Sequence, residues 1–236
     1  MRASDRVYAV LREEILAGAL PPGTVLTEVE QGSRLDVSRT PVRGAFTRLL
    51  ADGLVRSQSP RVLVVSEIST ERVVQLYELR EALETQAAAL AAMRRDATQF
   101  EAIRIRLLEA PQLLELGDAG VIEYFELVDA LDRAIDEAAA SEYLSVALES
   151  CRLHSSRVRR LSSHNPERLR EAASEHLGVV DAILARDPRL ASHATHFHLH
   201  RSLTTALASL QAHEPQPSAP RPTLPQPSPP EGILST

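Results

Sequence analysis

Residues 36–43 read Asp36-Val37-Ser38-Arg39-Thr40-Pro41-Val42-Arg43. Ser38 can cap a helix that begins immediately after it, and Pro41 is tolerated in the first turn, where backbone N–H groups have no helical partner. The apolar side chains of this helix would form one stripe, made of Val42, Phe46, Leu49 and Leu50. Its first turn is therefore crowded with hydroxyl and guanidinium groups.

The residues on either side predict a small domain around this helix. Apolar residues repeat at helical spacing over 5–20 with Asp5 as a cap, and Thr27 with Glu30 has capping spacing for a second helix to about Leu35. Gly53 is a suitable stop for the third helix, and residues 54–56 and 62–65 predict a two-stranded hairpin. Three helices and a hairpin predict a winged helix-turn-helix.

The beginning of the third helix has the chemistry that reads DNA. In helix-turn-helix proteins this end enters the major groove, where arginine pairs with guanine and hydroxyl groups reach phosphate or base edges. The helix N-terminus also attracts phosphate. The whole chain has a formal charge of −6, but residues 1–66 carry +2 and residues 67–236 carry −8. A basic segment on an acidic chain favours one phosphate-binding face.

From residue 71 to about 211 the pattern is helical throughout. One long helix begins near residue 71, and further helices are predicted at about 98–114, 119–139, 142–162, 166–186 and 188–211. The expected fold class is mainly α: a winged helix-turn-helix followed by an all-helical bundle with an internal pocket. The expected domains are 1–66, a linker at 67–70, the bundle at 71–213 and a proline-rich disordered tail at 214–236.

The N-terminal region resembles the GntR family of winged-helix regulators. Besides residues 36–43, the resemblance rests on Ile15-Leu16-Ala17-Gly18 upstream and Leu49-Leu50-Ala51-Asp52-Gly53-Leu54-Val55 downstream. It implies a homodimeric repressor on a palindromic operator, with DNA contacts from Ser38, Arg39, Thr40 and Arg43, and from Arg61 in the wing. The motif departs from the family pattern at Gln31-Gly32, which predicts a loosely packed second helix, and at Gly44, where a glycine inside the third helix costs about 1 kcal/mol relative to alanine.

The C-terminal region resembles the ligand domain of the FadR subfamily. The resemblance rests on residues 76–84, on 132–144, on Glu175-His176 and on His198-Leu199. Many members hold a divalent metal with an aspartate and three histidines. Here Val128 and Asp132 stand at the first two positions, and His176 and His198 match the others. The resemblance thus implies Asp132, His176 and His198 as ligands for zinc, nickel or manganese, or else an emptied site with neutral histidines.

Arg80 lies on the pocket-facing side of its helix, judged by the apolar stripe around it. Two roles remain open for it. It can bind the carboxylate of an effector, or it can form an ion pair with a glutamate of the bundle.

The composition excludes other classes. The single cysteine, Cys151, permits no disulfide framework, no segment has the pattern of a signal peptide, and no apolar run is long enough for a membrane span. We expect a cytoplasmic, non-enzymatic regulator whose operator affinity responds to a small organic acid. The alternatives are a DNA-binding protein whose bundle only dimerises, and a metal-dependent helical enzyme, for which no clear nucleophile is present.

Overall fold

The computed structural model describes residues 2–59, 62–160 and 165–213. The N-terminal part contains α1 (Ala3–Leu16), β1 (Val25–Thr27), α2 (Glu28–Arg34), α3 (Arg39–Ala51), β2 (Val55–Ser59) and β3 (Val62–Val65). The rest contains α4 (Thr70–Arg94), α5 (Ala97–Leu113), a short 3₁₀ turn (Leu114–Leu116), α6 (Asp118–Ala139), α7 (Glu142–Arg159), α8 (Pro166–Leu184) and α9 (Pro188–His213). The predicted fold class is confirmed.

The first helix is shorter than its sequence predicts. Its buried face is the expected one, but it ends at Leu16, ahead of Gly18, whose φ of +74° leaves the helical region. Asp5 is not the cap. It lies in the first turn, and its carboxylate accepts a hydrogen bond from the backbone N–H of Arg2 at 3.3 Å, which satisfies a group that has no helical partner.

The helix-turn-helix is formed by α2 and α3. Thr27 caps α2 as predicted, because its hydroxyl accepts the N–H of Glu30 at 3.2 Å. Ser38 precedes α3 but makes no side-chain capping bond, and Leu50, expected on the buried stripe, is largely exposed. The second helix is not loosely packed: Gln31 is buried and accepts a hydrogen bond from Nε of Arg34 at 2.9 Å.

The wing contains one strand more than predicted. β2 and β3 form the expected antiparallel hairpin, and β1 pairs with the outer edge of β3, with Val25 opposite Val64. A three-residue strand is too short to show an alternating pattern, so its sequence gave no signal. Arg61 lies outside the described residues, so the predicted wing contact has no structural account.

The bundle follows the predicted helices closely, with most boundaries within two residues. Its main core packs Phe100 and Leu107 of α5, Leu131 of α6 and Ile183 of α8, all almost fully buried. Within the described ranges no helix has the length and apolar character needed to cross a membrane.

The two parts of the chain are joined through residues 66–69 and through α7. The hydroxyl of Ser69 caps α4 by accepting the N–H of Arg72 at 3.3 Å. Leu153 of α7 packs into the apolar core of the winged helix, together with residues such as Leu11 and Phe46. The domain limits expected from the sequence stay a prediction, and residues 214–236 lie outside the described part.

Candidate functional site

The predicted DNA-reading residues lie together on the surface. Ser38, Arg39, Thr40 and Arg43 are all exposed, and they surround the beginning of α3. Arg39 and Arg43 stand four residues apart and therefore share one face of the helix. This geometry presents two guanidinium groups and two hydroxyl groups at the end of a helix, as major-groove reading requires.

Arg43 is held in place by α2. Its Nε and Nη2 donate to the carboxylate of Glu28 at 2.8 and 3.1 Å, and that carboxylate is nearly buried while the arginine side chain is exposed. The hydrogen bond to Glu28 raises the pKa of Arg43. Because a guanidinium has five N–H donors, a bidentate pair leaves three for another partner. Glu28 thus orients Arg43 without exhausting its donors.

The bundle encloses a cavity of about 90 Å³, which we call the ligand pocket. Five helices line it: α4, α6, α7, α8 and α9. It brings together the four residues singled out in the bundle sequence, which are Arg80, Asp132, His176 and His198. It adds three more guanidinium groups, from Arg152, Arg159 and Arg168.

Arg80 forms the ion pair with a bundle glutamate that was one of the two roles left open, and its binding of an effector stays a prediction. It lines the ligand pocket, and its Nε and Nη2 donate to the carboxylate of Glu84 at 2.6 and 3.2 Å. Burial opposes its charge, yet Glu84 and the neighbouring Tyr77 hold the pKa of Arg80 above its ordinary value. The guanidinium therefore stays charged inside the bundle.

His176 is buried in the wall of this pocket. Its Nδ1 is 3.1 Å from the hydroxyl of Tyr124, and its ring lies 4.3 Å from that of His198, centroid to centroid. Burial, followed by the nearby charges of His198 and Arg159, brings the pKa of His176 well below its usual range. His176 is therefore a neutral hydrogen-bonding group.

Glu175 contacts both His198 and Arg168 through its carboxylate. Its Oε2 is 2.8 Å from Nδ1 of His198, and both its oxygens accept from Arg168, at 3.0 and 2.9 Å. Burial would raise its pKa, but the bonds to His198 and Arg168 outweigh burial, and the pKa of Glu175 lies below its ordinary value. The charged carboxylate fixes the orientation of both neighbours.

Asp132 faces arginines rather than histidines. Its Oδ2 is 3.8 Å from Nε of Arg152 and 3.8 Å from Nη2 of Arg159. Arg152 is also bound to both oxygens of Asp136, and Arg159 lies 3.1 Å from Oδ1 of Asp129. Asp132 thus belongs to a network of alternating charges on one wall of the pocket.

The predicted metal ligands do not fit a divalent ion as a set. His176 and His198 come together, but Asp132 is paired with guanidinium groups, whose charge opposes a cation at the same place. Val128, at the remaining ligand position, lines the pocket with an apolar side chain. In the described part of the chain, no three His, Cys, Asp or Glu side chains are grouped to hold a metal.

α7 connects the ligand pocket with the winged helix. Arg152 and Arg159 lie seven residues apart on the side that faces the pocket. On another side, Leu153 enters the core of the winged helix, and Nη2 of Arg157 donates to the carbonyl of Ser66 at 2.5 Å. One helix therefore contacts both functional regions.

Sequence reasoning missed the arginines of α7 and α8 and the partner of His198. A signal was present in each case: Arg152 and Arg159 share a helix face, as do Arg168 and Glu175, since residues seven apart lie two turns away on the same side. What the pattern could not provide was the direction of these faces. Only the packing of five helices turns them toward one cavity.

A winged helix-turn-helix attached to a helical bundle with an enclosed pocket defines a transcriptional regulator of the bacterial type. Family comparison agrees with both parts. Residues 3–65 match the model described as "Bacterial regulatory proteins, gntR family", and residues 75–201 match the FCD domain, a ligand-binding domain. The chain belongs to the GntR family and carries an FCD domain.

Individual relatives are regulators as well. The chain is 31% identical over 186 residues to a probable D-xylose utilization operon transcriptional repressor of Paenarthrobacter nicotinovorans. The aligned region covers 79% of this chain and 80% of that protein. It is 28% identical over 196 residues to the HTH-type transcriptional repressor RspR of Escherichia coli K12, over 83% of this chain and 85% of that one.

Solved structures share the fold. Escherichia coli McbR/YncC superimposes with a TM-score of 0.72 at 22% identity, over 90% of this chain and 99% of that chain. A putative GntR regulator from Rhodococcus sp. RHA1 gives 0.66 at 24% identity, over 87% and 97%. These similarities support the fold of the described part of the chain.

Proposed function

We propose that the protein is a cytoplasmic, homodimeric repressor that inserts α3 into the major groove of a palindromic operator. The proposal is supported by the exposed cluster of Ser38, Arg39, Thr40 and Arg43 and by relatives named as repressors. A two-fold dimer would place two copies of α3 about one helical turn apart, so the operator would repeat its half-site with that symmetry.

The inducer is a small organic acid bound in the ligand pocket. The observation that carries this assignment is the composition of the pocket walls: four guanidinium groups line the cavity with two carboxylates, Glu84 and Asp132. The other carboxylates paired with these arginines, Asp129, Asp136 and Glu175, do not line the cavity. Guanidinium groups bind carboxylates with charge-assisted hydrogen bonds, and neutral His176 adds a further polar contact. The modest cavity of about 90 Å³ favours a small acid over a long acyl chain.

Binding is coupled to DNA through α7. An acid that draws Arg152 or Arg159 away from Asp132 changes the balance of ion pairs along α7, while Leu153 of the same helix is embedded in the winged helix. The acid would thus favour one placement of the two reading heads over another. Such a difference in affinity between two states is what allosteric control requires.

The test is a titration of sugar acids, hydroxy acids and short dicarboxylic acids, with calorimetry for binding and fluorescence anisotropy for operator affinity. The operator is first located by footprinting the region upstream of the protein's own gene. We expect at least one acid to bind and to weaken operator binding. Arg159→Gln should reduce the acid response while leaving the affinity for the operator unchanged in the absence of acid.

Arg104→Gln is the matched control, because Arg104 of α5 pairs with Asp181 of α8 at 2.6 Å, and neither residue lines the ligand pocket. If no acid binds or changes operator affinity, the sensing proposal is wrong and the alternative of a bundle that only dimerises is favoured. If both variants respond to the acid like the wild type, the assignment of the acid to Arg159 and the ligand pocket is wrong. Metal content measured on the same sample tests the predicted metal. A stoichiometric ion would require Asp132 to leave its arginines and would replace the acid-only assignment.

A further inference from the structure

A second cavity, of about 450 Å³, lies between the winged helix and the bundle. We call it the interdomain cavity. It is bounded by Gly53 and residues 66–68 on one side, by the beginning of α4 on another, and by His154 and Arg157 of α7. None of these residues lines the ligand pocket.

Arg157 is the unusual residue of this cavity. Only 6% of its surface is exposed, and its one hydrogen bond in the described part is from Nη2 to the carbonyl of Ser66. The other two buried arginines, Arg80 and Arg168, each have a carboxylate bound to two of their nitrogens. Among the described residues no carboxylate lies within ion-pair distance of Arg157.

The surroundings add charge of the same sign. Arg72 lines the interdomain cavity, and burial together with the charge of Arg72 lowers the pKa of Arg157. His154 is neutral, because burial and the charge of Arg157 lower its pKa. Glu67, the acidic residue that lines the interdomain cavity, is largely exposed, and its Oε1 lies 3.6 Å from Nη2 of Arg56.

A guanidinium remains protonated even in such a place. A buried charge without a counter-ion is unfavourable, and proteins neutralise it with an ion pair or with a bound ion. Arg157 has an Nε–H and further Nη–H groups beyond the bond to Ser66, and these donors match two oxygens of one anion.

We infer that the interdomain cavity is a second binding site, for a small oxyanion held by Arg157 and Arg72. The anion supplies the negative charge that the described residues do not place beside Arg157. It connects α7 and α4 to the segment after β3, and Gly53 at the end of the DNA-reading helix lines the same space. The inference does not depend on an acid in the ligand pocket.

The test uses the full chain, dialysed into a phosphate-free buffer with chloride. Inorganic phosphate and acetate are titrated separately by calorimetry, with sodium chloride at matched ionic strength as the blank. We expect one oxyanion to bind at one site per chain. Phosphate binding without acetate binding identifies a phosphate-bearing ligand, and the reverse identifies a carboxylate; both outcomes support the site.

Three variants locate the binding. Arg157→Met should abolish it, and Arg72→Ala should weaken it roughly tenfold, because a charge-assisted hydrogen bond is lost. Arg159→Met, in the ligand pocket, should bind phosphate like the wild type. If Arg157→Met fails to fold, the Arg72→Ala variant alone tests the site. Arg72 is exposed, so its replacement removes no buried contact.

Two results would overturn the inference. One is the absence of binding by either anion above the chloride blank. The other is binding that persists in Arg157→Met or is unchanged in Arg72→Ala, because the anion would then occupy another place.

Discussion

The beginning of α3 and the ligand pocket use the same functional group in opposite ways. At the start of α3, arginines project into solvent, and Arg43 is held by one carboxylate on a neighbouring helix. In the ligand pocket, Arg80 and Arg168 are buried and bound to carboxylates through two nitrogens each. A surface arginine is ready for DNA, whereas a pocket arginine has to share or exchange its partner to bind an acid.

The largest expected effect concerns the cost of breaking the two kinds of ion pair. Glu175→Ala removes the buried partner of Arg168 and His198 and should lower the free energy of unfolding by about 3–5 kcal/mol. Glu14→Ala, which breaks the surface pair with Arg34, should lower it by about 1 kcal/mol or less. Urea unfolding at pH 7 measures both. Equal losses would show that the buried and the surface ion pair do not differ in their contribution to stability.

The next effect separates DNA binding from stability. Replacing both Arg39 and Arg43 by Ala should weaken operator binding by roughly a hundredfold or more, because each base contact contributes substantially to the free energy of specific binding. The unfolding midpoint should fall only modestly, because both side chains are exposed and the stability lost is that of the pair between Arg43 and the nearly buried Glu28. Arg106→Ala combined with Arg189→Ala removes two exposed arginines of the bundle and should leave selectivity intact. A double variant of α3 that still discriminates like the wild type would show that another surface reads the DNA.

A smaller effect is a pH dependence that comes from the buried side. Because the pKa of His176 is lowered by burial, the unfolded chain binds its proton more readily than the folded chain does. Stability should therefore fall as the pH decreases below about 6.5, the ordinary pKa of histidine. His176→Gln should flatten this slope in urea unfolding between pH 7.5 and 5.5, and exposed His200→Gln should not. Part of the pH dependence should remain in His176→Gln, because the pKa of His154 is also lowered.

The smallest expected effect comes from backbone strain, which occurs both in the winged helix and in the bundle. Asp36, in the turn between α2 and α3, has a φ of 51°, and Arg186, just after α8, has a φ of 60°. Aspartate tolerates this region better than arginine does. Asp36→Gly should stabilise the chain by about 0.5 kcal/mol or less, and Arg186→Gly by up to about 1 kcal/mol. Thermal unfolding of both variants checks the order, and a larger gain at Asp36 would reverse it.

The sequence predicted most of what depends on local pattern. The helices of the bundle have long apolar stripes, so their bounds followed from periodicity. The proposed DNA-reading residues lie within residues 38–43, and the structure brings them together on the surface at the beginning of α3. β1 was missed because three residues carry no period. Leu50 was placed inside because it is apolar and adjacent to Leu49, although only the packing against α1 decides which of the two is buried.

The ligand pocket could be predicted only in part, because its residues are distant in the chain. Resemblance to the family located Asp132, His176 and His198, but it could not show that Asp132 faces Arg152 and Arg159. That relation depends on the angle between α6 and α7. Charge pairing across helices is a property of the fold, and the residue types alone are compatible with either a metal or an acid.

Leu153 has a consequence for how the protein can be divided. This leucine belongs to α7 and yet packs in the apolar core that contains Leu11 and Phe46. A fragment of residues 1–66 would lack Leu153, so part of its apolar core would be exposed to water. The excised DNA-binding module would be less stable than it is in the intact chain, and a chimera would need to retain α7 as well as the winged helix. The true folding unit of the DNA reader thus extends beyond the point where the chain leaves it.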